Sequence, residues 1–137
     1  MPLEGLDMNV ASPRYREALD RGVLTLPYCA TCRSWSAPWV FLCPTDYRHA
    51  VEFRAVEPRG SVRTWATYRR EYPLARRIAV PYTVAQIDLE QGVRICALRG
   101  AGDAAPMRLG APVALSIVRD NGPSYPVFSL VENNNRG

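Results

Sequence analysis

Two hydrophobic rhythms divide the chain near residue 50. Ahead of it, Tyr15, Ala18 and Leu19 recur at i, i+3, i+4, the pattern of a short helix with one narrow apolar stripe. Ser12 can cap that helix, Pro13 suits its first turn and Gly22 ends it. Such a stripe cannot hold a helix by itself, so it must pack on this chain or on a partner. From Val23 to about Asp46 the text is knuckle and turn, with Trp35, Trp39 and Phe41 set between cysteines. A core role is expected for at least one of these rings. After residue 50 the period becomes two, and residues 51–56, 62–68, 82–89, 93–99, 113–119 and 125–131 each read as a strand.

Strict alternation in 62–68 would put Val62, Thr64, Ala66 and Tyr68 on one face, with Arg63, Trp65 and Thr67 on the other. Leu89 to Val93, centred on Gln91-Gly92, reads as a hairpin turn. Five or six short strands in this space predict a mainly β fold. The expected architecture is a short helix and a knuckle module, then a small closed barrel for which the OB-fold is the best size match. The divisions expected are 1–22 for the segment with the helix, 23–50 for the knuckle module, 51–132 for the barrel and 133–137 for a mobile tail. Two linkers interrupt the strands, Arg-rich 69–79 and small-residue-rich 100–112, and loops of this length tend to carry function.

Composition narrows the chemistry. All 17 basic residues are Arg, and the absence of Lys removes P-loop, Schiff-base and Ser-Lys chemistry together. A single histidine, His49, leaves little room for ordinary acid–base catalysis. The net charge of +4 is compatible with phosphate-bearing partners without requiring them. No apolar run approaches a membrane span, and the N-terminus lacks the pattern of a secretory signal, so a cytoplasmic protein is expected.

Three of the four cysteines cluster as C-x2-C-x10-C-x2-D, ribbon spacing with Asp46 where the last thiolate would stand. Cys29, Cys32 and Cys43 can supply three soft ligands, and either Asp46 or His49 can supply the fourth. A zinc ion so anchored would be structural, because a catalytic one needs an open water position and a nearby base; the alternative is a degenerate ribbon held by its aromatics, with its thiols reduced. Cys96, between Ile95 and Ala97, reads as a buried, inert thiol.

Several features recur in a fixed order: YREALDRGVLTLPYCATC, Cys43-Pro44, Gly60-Ser61-Val62, Pro81-Tyr82-Thr83-Val84-Ala85, Leu89-Glu90-Gln91-Gly92-Val93-Arg94, Leu109-Gly110-Ala111-Pro112-Val113 and Pro126-Val127-Phe128. This series resembles the small acyl-CoA-associated proteins long known only as a domain of unknown function and encoded beside thiolase-like enzymes. The resemblance implies a rubredoxin-like zinc ribbon followed by an OB-fold. It also implies a non-catalytic subunit of a thiolase, acyltransferase or aldolase complex acting on a CoA thioester. In such assemblies the ribbon and its leading helix dock on the partner, which makes Tyr15, Leu19, Trp35 and Trp39 candidate contacts. Asp46, and Arg33 in place of the usual Gly after the first knuckle, depart from the pattern.

Arg69, Arg70, Arg76 and Arg77 surround Tyr72, and their guanidinium forks can hold CoA phosphates if they face the acyl path. A second reading is a single-stranded nucleic-acid module, with Trp65, Tyr68 and Tyr72 as stacking platforms. The modest charge disfavours it, since aromatics also serve barrel packing.

Overall fold

The computed structural model describes residues 12–45, 47–70, 80–119 and 124–131. Asp46, Arg76, Arg77 and the tail 133–137 lie outside the described residues. The described chain runs α1 (Pro13–Asp20), β1 (Thr25–Cys29), β2 (Ser34–Trp35), β3 (Glu52–Ala55), β4 (Arg59–Tyr68), β5 (Tyr82–Leu89), β6 (Arg94–Arg99), β7 (Pro112–Val118) and β8 (Tyr125–Leu130). It is mainly β, with a three-stranded sheet in the order β2-β1-β3 and a closed barrel in the order β4-β5-β6-β8-β7.

The helix starts and stops as its sequence dictates. The Ser12 hydroxyl accepts the Arg14 N–H at 3.2 Å, and Pro13 occupies the first turn. Gly22, at φ +82°, donates to the Leu19 carbonyl while Val23 donates to Ala18, the paired bonds of a Schellman stop. Tyr15, Ala18 and Leu19 are its buried face. Tyr15 and Leu19 join Leu24 and Leu26 in the same core cluster as the barrel residues Ile87, Ile95, Val113 and Phe128. The stripe therefore packs on its own chain. As a correction to the expected docking role, Tyr15 at 3% and Leu19 at 0% exposure have no surface to offer a partner.

The barrel accounts for five of the strands read from the sequence, and the sixth belongs elsewhere. Residues 52–55 do form a strand, but β3 pairs antiparallel with β1, from Thr25↔Ala55 to Tyr28↔Glu52. The small sheet thus continues past residue 50, where the hydrophobic rhythm changes. The hairpin at Gln91-Gly92 forms as expected, with Gly92 at φ +81° and Leu89 and Val93 bonded at 2.9 Å.

One face of β5 carries Thr83, Ala85, Ile87 and Leu89, and its lower half fills the barrel with Val62, Ile95, Ala97, Val113, Leu115 and Phe128. The pairing of β4 corrects the alternation read for 62–68. A bulge between Val62 and Thr64 sets Val62 opposite Ile87, Trp65 opposite Ala85 and Thr67 opposite Thr83. Val62 therefore shares a face with Trp65 and Thr67, and Thr64, Ala66 and Tyr68 take the other. An inserted residue reverses parity without changing composition, so a period-two pattern cannot show it. Gly60 has a clear role in this pairing. A Cβ there would meet the Asp88 carbonyl oxygen and lie 2.7 Å from Ile87 Cγ2, so only glycine lets the strands approach.

Candidate metal centre and barrel pocket

The ends of β1 and β2 and the following loops bring three thiols to one point. The Sγ atoms of Cys29, Cys32 and Cys43 all lie within 4.8 Å of one another. Those of Cys32 and Cys43 are 3.4 Å apart, and the Cys32 N–H donates to Cys29 Sγ at 3.4 Å. Cys29 and Cys43 are buried, and Cys32 is half-buried. Their shared hydrogen bond with Cys43, then burial, then the bond to Cys29 push the Cys32 thiol up to about 12. These thiols can hold a metal ion such as zinc. Zn–S bonds of about 2.3 Å place tetrahedral thiolates about 3.8 Å apart, a spacing this cluster reaches with small shifts.

Backbone geometry extends the match to the second knuckle. Arg33 follows Cys32 at φ +55°, and Tyr47 follows position 46 at φ +56°. Each knuckle, C-x-x-C-R and C-x-x-D-Y, thus turns through a left-handed residue at its fifth position. Arg33 therefore accepts the conformation for which Gly is usual. The Tyr47 N–H bonds the Cys43 carbonyl at 2.7 Å, and the Cys43 N–H bonds the His49 carbonyl at 2.9 Å. Those bonds close the loop around position 46.

The aromatics of the ribbon divide by role. Trp35 packs against the core cluster and tilts over Tyr28 with ring centroids 4.8 Å apart. By contrast Trp39 is 60% exposed, Phe41 72% and Tyr47 73%. Trp39 is the expected contact residue that the structure leaves at the surface, Phe41 was one of three rings read as mini-core or contact face, and Tyr47 was not singled out. Their signal in the sequence was their place on turns around the third cysteine, where an apolar ring has no core to enter.

At the barrel, a pocket of about 610 Å³ opens among the ends of β4 to β8. Tyr82, Leu98, Val127, Val118 and Tyr125 give it apolar walls, and the cross-strand pair Thr67 and Thr83, hydroxyls bonded at 2.9 Å, adds a polar stretch of lining. Arg69 and Arg70 are exposed just beyond the end of β4. The rim is fixed by Arg99 and Asp103. The Arg99 Nε lies 3.1 Å from the Asp103 carboxylate, which also accepts the Leu130 N–H at 3.1 Å, and Arg99 donates to the Ala105 carbonyl. Burial works to raise the Asp103 carboxyl, but the Leu130 N–H and the Arg99 guanidinium outweigh it and hold it below the usual carboxylate range. Sequence reading singled out neither residue. An i, i+4 Arg–Asp pair in a loop carries no helical meaning, and only tertiary folding brings Leu130 to it.

A carboxyl with a lowered folded pKa contributes stability that is present above its unfolded value and lost as pH falls through the folded one. Asp103→Asn is therefore expected to cost about 1–3 kcal/mol at neutral pH. The loss should begin to shrink below about pH 4, where the unfolded carboxyl takes up its proton, and vanish once the pH falls through the lower folded value. Urea unfolding at several pH values measures both effects. Cys96 is half-buried, and burial raises its thiol, as expected of an unreactive cysteine.

A ribbon sheet with converging thiols, leading into a closed five-stranded barrel, defines a ribbon-plus-OB-fold protein. Residues 53–118 match the family described as ChsH2, C-terminal OB-fold domain. The whole architecture superposes on a chain of the Ltp2-ChsH2(DUF35) aldolase with a TM-score of 0.76 and 23% identity, covering 88% of this chain and 94% of that one. No match is found among curated proteins. The resemblance seen in the ordered sequence motifs therefore holds at the level of these matches: residues 53–118 are similar to that family's OB-fold domain, and the chain shares the fold of the aldolase chain.

Proposed function

We propose that this chain is a non-catalytic accessory subunit of a thiolase-like acyltransferase, thiolase or aldolase acting on a CoA thioester. One observation carries the reading: the ribbon and barrel together, rather than the barrel alone, superpose on a chain of an aldolase assembly. The exposed ribbon rings Trp39, Phe41 and Tyr47 supply an apolar surface of the kind that partner subunits cover. The barrel pocket is the part of the acyl path this subunit shapes, and Arg69 and Arg70 at the end of β4 serve the CoA phosphates. Arg76 and Arg77 belong to the same proposed set from outside the described residues. The test is purification of the native complex from cell extract. A stoichiometric thiolase-fold subunit is expected, retained by the wild type and lost on Trp39→Asp; a monomer without a partner would overturn the reading.

Within this reading the ribbon holds a structural zinc through Cys29, Cys32 and Cys43, in a reducing, cytoplasmic setting. Asp46 is the fourth ligand, because Tyr47 repeats at the second knuckle the left-handed turn of Arg33 at the first. His49 accepts the Cys43 N–H through its backbone carbonyl, and its imidazole is left out of the proposed ligand set. Asp46→Ala is expected to lower zinc affinity by about tenfold or more, and His49→Ala to leave it unchanged. Asp46→Cys should tighten binding, as thiolates are preferred in structural sites. Competition with a chromogenic chelator gives all three affinities.

A further inference from the structure

The barrel is closed by an uneven seam. β4 is ten residues long, yet β7 pairs only with its first three residues, Arg59, Gly60 and Ser61. Val62 is held next, donating to the Ala111 carbonyl at 2.9 Å and accepting the Gly110 N–H at 2.8 Å. Beyond Val62 this edge of β4 has no strand partner among the described residues. Arg63 to Thr67 are all exposed.

The backbone parity of this edge follows from the neighbouring strands. Leu89 donates its N–H toward Val93 on the β6 side, so Ile87, Ala85 and Thr83 also direct their backbone groups to β6. Gln86 and Val84 are left to bond β4, through their opposite residues Thr64 and Ala66. Trp65 and Thr67 therefore present both N–H and C=O to the open edge. Two such residues, spaced by one, are the template onto which an extended strand pairs.

Charge selects among occupants. The segment 59–70 contains no acidic residue, and Arg63, Arg69 and Arg70 are exposed and make no ion pair among the described residues. Two copies of this chain joined edge to edge would set these guanidinium groups against each other. A nucleic acid would satisfy the charge, but its phosphates cannot donate to the outward carbonyls of Trp65 and Thr67. An acidic polypeptide strand satisfies both demands.

We infer that the outer edge of β4, from Arg63 to Tyr68, accepts an extended acidic segment of another polypeptide as an added strand. Trp65 and Thr67 form its backbone bonds, and the exposed Arg63, which the acyl-CoA reading does not use, recognises its carboxylates. The inference stands apart from the proposed acyl-CoA role, since it rests on the β4 edge and Arg63; Thr67 is the residue it shares with the pocket lining.

The test uses the full chain and a capped synthetic peptide of about seven residues, alternating Glu and Val, a typical strand length. Amide exchange followed by NMR is expected to show protection at Trp65 and Thr67, with Thr64 and Ala66 unchanged because they already bond β5. Arg63→Glu, an exposed substitution that spares the core, should weaken binding about tenfold or more. Thr67→Pro, which removes an outward donor, should do the same. Four results overturn the inference: no protection by the acidic peptide, equal binding of an alternating Lys and Val peptide, protection of the same amides by a thymidine oligonucleotide, or their protection by self-association alone.

Discussion

Cys43→Ser is expected to abolish tight metal binding and to loosen the cysteine-bearing turns, while β1 and the barrel, which share one core, stay folded. Cys43 is 0% exposed, touches Cys32 through sulfur and anchors the second knuckle through both its N–H and its carbonyl. The local core around it is small: Cys29, Cys43 and Val51, with Cys32 and Phe53 packed against them. So few apolar groups do little to offset the entropy of ordering the turns, and in the proposed zinc-bound ribbon the metal would supply the difference. In zinc-finger peptides such binding is worth about 10–16 kcal/mol, which sets the scale of the loss. Metal affinity should also rise with pH, because the Cys32 thiol, pushed up to about 12 when metal-free, must release its proton on binding. Zinc content after gel filtration, with near-ultraviolet dichroism of the ribbon tryptophans, measures both consequences. Retention of full zinc by Cys43→Ser would remove this cysteine from the ligand set.

Phe128→Ala is expected to cost about 3–5 kcal/mol, enough to unfold much of a marginally stable domain. Phe128 is 0% exposed and sits on β8, the strand that joins β6 to β7 and so completes the barrel. Its backbone pairs with Leu115 on one side and Arg99 on the other, and its carbonyl accepts the Gly100 N–H at 2.8 Å. Truncation leaves a cavity inside a closed sheet, which cannot collapse as an open one can. The same cluster contains Tyr15, Leu19, Leu24 and Leu26, so the helix and the start of the ribbon should loosen together with the barrel. A single urea transition shifted to lower midpoint for both near- and far-ultraviolet signals would show that coupling. A shift below about 1 kcal/mol would mean that the ring is not central to the core.

Much of this architecture was legible because its signals are local. The Ser12 cap, the Gly22 stop and the turn at Gly92 each depend on neighbours a few residues away. The thiol cluster was legible for the same reason, since knuckle spacing is a property of a turn. Long-range placement was not. Residues 52–55 alternate like any strand, and nothing in them says whether β1 or a barrel strand will be the neighbour. Tyr15 and Leu19 form a stripe that suits a partner as well as it suits the chain's own core, and burial decided for the core. The Arg99–Asp103 clasp needed Leu130, 27 residues away, before its role could be seen.

The sequence by itself determined the class of fold, the helix and hairpin ends, the three convergent thiols and the poverty of catalytic groups. Each follows from residue type and short spacing, where covalent geometry leaves few choices. Tertiary structure alone decided which face Trp65 shares, which strand edge lacks a partner among the described residues and which aromatic rings are exposed. The reason is physical: one inserted residue at the β4 bulge inverts the facing of every side chain after it. Whether an edge or a ring is covered depends on chain segments far away in sequence.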